Sequence, residues 1–81
     1  MKIKLVEIEW LDSKGVTDRW EYLSEIEYME PNVCTSVGYL LNNTKNYKEI
    51  CQSINNGSPD NIQVIGRMTI PTCSIKRIKQ L

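Results

Sequence analysis

With 81 residues, 41% of them apolar and 25% charged, the chain suits one small folded domain over 1–81 rather than a disordered tail. Ten acids balance ten bases, which excludes the overall basicity of a protein that coats DNA. There is no His, and Cys34, Cys51 and Cys73 are an odd set without a CxxC spacing. Neither a disulfide framework nor a ready zinc site is encoded, and the three thiols read as small buried apolar residues.

The opening MKIKLVEIEW alternates with charge from the start, unlike the apolar core of a secretion signal. No apolar run approaches the roughly 20 residues needed to cross a bilayer, so a cytoplasmic protein with no membrane partner is expected. Lys2 to Leu11 reads as the first strand, with Val6, Ile8 and Trp10 alternating with Glu7 and Glu9. Ile3 and Leu5 fall on the other parity, which a bulge or a face switch near Leu5–Val6 would reconcile. Asp12-Ser13-Lys14-Gly15 reads as a turn. Residues 17–30 then read as the one short helix. Thr17 can cap it, Trp20, Leu23, Ile26 and Met29 recur at spacing three, and Pro31 follows its end. Its outward face carries Glu21, Glu25 and Glu27.

From Asn32 the pattern is of strands. Val33, Thr35, Val37, Tyr39 and Leu41 share one face of the second, with Cys34, Ser36, Gly38 and Leu40 on the other. Asn42 to Asn46 reads as a hairpin loop, Tyr47 to Ile54 as a third strand, and Asn55 to Asn61 as a mobile turn. Ile62, Val64, Gly66, Met68 and Ile70 predict the inner face of a fourth strand, which Pro71 ends. After the turn at Thr72-Cys73-Ser74, Ile75 to Leu81 supplies the last strand. The expected fold is mainly β with one short helix: a small five-stranded antiparallel barrel of SH3-like or Sm-like kind. An open α+β sheet with the helix packed across it is the alternative.

Catalytic groups are sparse. No His offers a general base, and no nucleophile elbow, P-loop or dinucleotide fingerprint occurs. The paired acids Glu7 and Glu9, and Glu21 and Glu25, fit solvated faces, so no enzyme and no cofactor is expected. Charge is uneven: residues 1–30 hold eight acids and four bases, residues 45–81 six bases and two acids. Such a dipolar chain can pair head to tail with a copy of itself, and a homo-oligomer is expected. In a small barrel the first and last strands are neighbours. Lys2, Lys4, Lys76, Arg77 and Lys79 would then line one edge, joined by Arg67, with Tyr39 and Tyr47 as stacking platforms for a nucleotide or RNA. Trp20, Tyr22 and Glu25 are the candidates for contact with a protein partner.

The stretches Val6-Glu7-Ile8-Glu9-Trp10-Leu11-Asp12-Ser13, Val33-Cys34-Thr35-Ser36-Val37-Gly38-Tyr39-Leu40-Leu41 and Met68-Thr69-Ile70-Pro71, with Trp20, Ile75 and Ile78, occur in order along nearly the whole chain. Together they resemble a family of small bacteriophage and prophage proteins. The family pattern has a Gly just before the Trp, where this chain has Arg19. The resemblance implies a viral or prophage origin and supplies neither activity nor site residues. Three functions fit these expectations. The first is an accessory protein that counters host defence by sequestering a nucleotide signal or blocking a host protein. The second is an Sm-like RNA-binding or single-strand-binding ring, and the third a protein-interaction or assembly module.

Overall fold

The computed structural model describes residues 3–81. Seven strands form: β1 (Leu5–Asp12), β2 (Asn32–Asn43), β3 (Tyr47–Cys51), β4 (Ser53–Asn55), β5 (Gln63–Ile65), β6 (Met68–Pro71) and β7 (Ile75–Gln80). Five of them make an antiparallel sheet in the order β6-β3-β2-β1-β7, while β4 and β5 pair only with each other. The chain is therefore mainly β, with a five-stranded antiparallel sheet as its body.

Period-2 alternation in β1 positions the core. Val6 and Ile8 are buried and Trp10 packs beside them, while Glu7 and Glu9 take the opposite face. Ile50 of β3 and Ile70 of β6 complete the buried cluster, flanked by Leu40, Met68 and Ile75. Pairing of β1 with β2 runs unbroken from Leu5 opposite Tyr39 to Asp12 opposite Asn32. No bulge therefore interrupts this pairing at Leu5–Val6. The irregularity lies on the other side of the strand, between β1 and β7 at Glu9/Trp10.

The inward face of β2 is the less apolar of its two. Gly38 lies opposite Val6, and a Cβ there would come within 2.8 Å of the Cys51 carbonyl oxygen and 3.1 Å of the Ile50 Cβ. Glycine is needed for β2 and β3 to approach this closely. Ser36 lies opposite Ile8, and its Oγ accepts a hydrogen bond from the Trp10 Nε1–H at 3.0 Å. The indole thus gains a polar partner at the margin of the core. Val33 and Val37, on the other parity, are left exposed.

The third and fourth strands expected from the sequence each break in two, and at matching positions. The Gln52 N–H is shared between the carbonyls of Ile65 (3.1 Å) and Gly66 (3.2 Å), and Gly66 adopts a φ of 73°. Both strands bend there, so β4 and β5 leave the sheet as a separate hairpin arm. Ile62 and Val64, expected on the inner face, are consequently exposed, whereas Met68 and Ile70 do turn inward.

The largest correction concerns residues 17–30, which are not an α-helix. A single 3-10 turn forms at Leu23–Glu25, where the Glu25 N–H donates to the Tyr22 carbonyl at 2.9 Å. Tyr22 and Ile26 on either side are extended. The row at Trp20, Leu23, Ile26 and Met29 has spacing three but no i+4 members, and none of the four packs against the core cluster. A helix of this length needs such packing to be stable in water.

Strands β6 and β7 are the two edges of the sheet, yet only Thr72–Ser74 separates them. A flat five-stranded sheet would hold its edges about 19 Å apart, while the step from Pro71 to Ile75 reaches at most about 14 Å. The sheet is therefore curled. Among the described residues no ladder joins β6 to β7, so it is not a closed barrel. No helix among the described residues is long and apolar enough to cross a membrane. The radius of gyration is 17.5 Å and the long axis 60 Å, against about 12 Å for the radius of a compact chain of this length.

Candidate functional site

Two surfaces compete as the working part of the molecule: the cationic last strand and the long connection between β1 and β2. Strand β7 does lie beside β1, with Arg77 opposite Glu9 and Lys79 opposite Glu7. The register shift at Glu9/Trp10 leaves Lys76 without a paired residue, so two consecutive cations reach the same carboxylate. Lys76 Nζ is 3.7 Å from Glu9 Oε1 and Arg77 Nη2 is 3.5 Å from Glu9 Oε2.

The other candidates for the cationic border are dispersed. Arg67 stands at the opposite edge, where its Nε donates to Glu49 Oε2 at 2.7 Å. Lys4 lines a shallow hollow of about 220 Å³ with residues 40–43. Lys2 lies outside the described residues. Tyr39 sits opposite Leu5, and Tyr47 begins β3 with its hydroxyl 3.5 Å from Asn42 Nδ2. Tyr39 pairs with Cys51, four residues beyond Tyr47, which puts the two tyrosines about 13 Å apart along the sheet. Carboxylates thus interleave with the cations, and the paired tyrosines form no common platform.

The connection of residues 13–31 has the opposite character. Trp20, Tyr22, Leu23, Tyr28 and Val16 project into solvent, with Met29 more than half exposed. Trp20 lines several shallow hollows, two of which involve the other apolar residues of the segment. One, of about 400 Å³, is shared with Ile26, Tyr28 and Met29, and the other, of about 230 Å³, with Tyr22, Glu25 and Ile26. Aromatic rings at the centre with carboxylates around them match the composition of a protein–protein contact. All three partner-contact candidates, Trp20, Tyr22 and Glu25, belong to this one segment. Tyr28, Leu23 and Met29 belong there too and were not singled out. The available signal was their position in a stretch that offers neither strand alternation nor a complete helical stripe.

Among the described residues no three Cys, Asp or Glu side chains converge into a metal-sized cluster. The cysteines are all free: Cys51 is buried and Cys34 half-buried, but Cys73 is exposed, correcting the expectation that all three are interior. Compared with protein-family models, curated proteins and solved structures, the chain matches none.

Proposed function

We propose that this protein is a non-enzymatic accessory of bacteriophage or prophage type that acts by stoichiometric contact with another polypeptide, through residues 13–31. The observation that carries this reading is the exposure of Trp20, Tyr22, Leu23 and Tyr28 on a segment whose one regular element is the 3-10 turn Leu23–Glu25. Apolar rings held in water on so little local structure are costly unless a partner covers them. Blocking or assembling proteins in the cytoplasm of an infected or lysogenic bacterium is the corresponding role, and countering host defence its context. The body is an opened version of the SH3-like plan. Support for that comes from the adjacency of first and last strands and from the 3-10 turn Thr72–Ser74 between the last two.

The test is photo-crosslinking inside the bacterial host, with a benzophenone amino acid replacing Trp20 and, as a control, Tyr47. Polypeptide adducts from position 20 alone are expected; no adduct from position 20, or equal yields from both, contradicts the reading. Sequestration of a nucleotide and an Sm-like RNA ring are the competing readings. For the first, a thermal-shift panel of cyclic and linear nucleotides decides, since a ligand at 100 times its Kd adds about 2.7 kcal/mol. For the second, filter binding to short RNA at two salt concentrations decides, because phosphate contacts release counterions. A positive result in either favours that reading over protein contact.

A further inference from the structure

Three observations bear on which polypeptide covers the exposed segment, and the inference rests on the protein-contact reading just given. The first is area. The chain exposes 6949 Å², whereas a compact chain of 9.4 kDa exposes about 5,000 Å². The excess of about 1,900 Å² is more than one side of a standard-sized interface contributes. The β4–β5 arm, with exposed Ile62, Val64 and Ile65, accounts for part of it; two chains that each covered half of the excess would bury about 1,900 Å² in total, a standard-sized interface.

The second is charge. Residues 13–31 carry Asp18, Glu21, Glu25, Glu27 and Glu30 against Lys14 and Arg19. Residues 67–81 carry Arg67, Lys76, Arg77 and Lys79 and no acid. Lys76 and Arg77 share the single carboxylate of Glu9, and their side chains remain 49% and 68% exposed. They therefore have room for a further carboxylate. The molecule carries both halves of a complementary pair, and its net charge is zero.

The third is backbone. Strand β7 is an edge of the sheet, and its outer row of N–H and C=O groups has no ladder among the described residues. Residues flanking the 3-10 turn already have extended dihedrals: φ −74°, ψ 128° at Tyr22 and φ −73°, ψ 147° at Ile26. Exposed Ile78 and Leu81 offer apolar contact at the same edge.

We propose that the partner is a second copy of this chain: in a twofold dimer, the acidic aromatic segment 13–31 of each copy lies along the basic β7 edge of the other. The twofold axis makes both contacts at once and closes the assembly at two chains. Steering comes from the charges, while the aromatic residues supply the buried area.

A charge exchange tests this in the full chain. One variant carries Glu21→Lys, Glu25→Lys and Glu27→Lys; the other carries Lys76→Glu, Arg77→Glu and Lys79→Glu. By light scattering, the unaltered chain is expected at twice 9.4 kDa, each variant at half that mass, and an equimolar mixture again at the dimer mass. Only a reciprocal contact predicts the recovery, because each mixed interface then pairs opposite charges. A monomeric unaltered chain at high micromolar concentration overturns the proposal, as does a variant that stays dimeric or a mixture that stays monomeric. Because reversing Lys76 and Arg77 also opposes Glu9, the position-20 crosslink on the otherwise native sequence provides an independent measurement. An adduct of two chains mapping to residues 75–81 supports the dimer. A host-protein adduct without the two-chain species overturns the dimer and leaves the protein-contact reading standing; no adduct at all overturns both.

Discussion

The sheet and the 13–31 segment both carry large apolar residues and meet opposite fates. In β1, apolar residues two apart meet β2 on one side and β7 on the other, and Ile8 ends at 0% exposure. In the segment, the apolar residues three apart join no buried cluster, and Trp20 stands fully in solvent. What separates them is the presence of a complementary surface within the same chain, not hydrophobicity. The sheet has its surface and folds on itself, whereas the segment stays exposed, and the proposal above is that another molecule supplies its surface.

The comparison is broken most severely by Ile8→Ala. A fully buried Ile reduced to Ala costs about 4 kcal/mol, against a total of roughly 4–12 kcal/mol expected for a chain of this length. Chemical denaturation should show the variant largely unfolded or with its midpoint strongly lowered. Gly66→Ala comes next. Its φ of 73° and the 2.7 Å from a built Cβ to the Gln52 Cβ make strain unavoidable, at about 1–2 kcal/mol. Hydrogen exchange should accelerate in β4 and β5 more than in β1, because the arm hangs from that bend.

Much of the sheet was legible because period-2 spacing is a local property of the sequence. Val6, Ile8 and Trp10 announce β1, and Pro71 announces the end of β6. The breaks at Gln52 and Gly66 were not legible, since each depends on a residue across the ladder. The segment was misread for a related reason. Thr17 and Pro31 look like the start and stop of a helix, but tertiary packing decides whether so short a helix exists. The exposure of Trp20 and Tyr22 agrees with their being set aside from the core as candidates for partner contact. The pairing of Lys76 and Arg77 with Glu9 was not, because a register shift brings them together.

Ser36→Ala sharpens the comparison by removing the Oγ that accepts from the Trp10 Nε1–H while leaving the indole packed, so a loss of about 1 kcal/mol is expected. Its equilibrium unfolding curve should keep the native slope and move to a lower midpoint. The smallest effect on the fold belongs to Trp20→Ser. In dilute solution its unfolding midpoint should equal that of the unaltered chain. At high concentration the unaltered chain should gain stability by association and the variant should not.

Hydrogen exchange followed at two protein concentrations addresses the division between sheet and segment most directly. Self-coverage requires that exchange of the amides of residues 13–31 and of β7 slow as the protein is concentrated, by a larger factor than in β2 and β3. Segment amides that exchange at the rate of unprotected chain at both concentrations would contradict it.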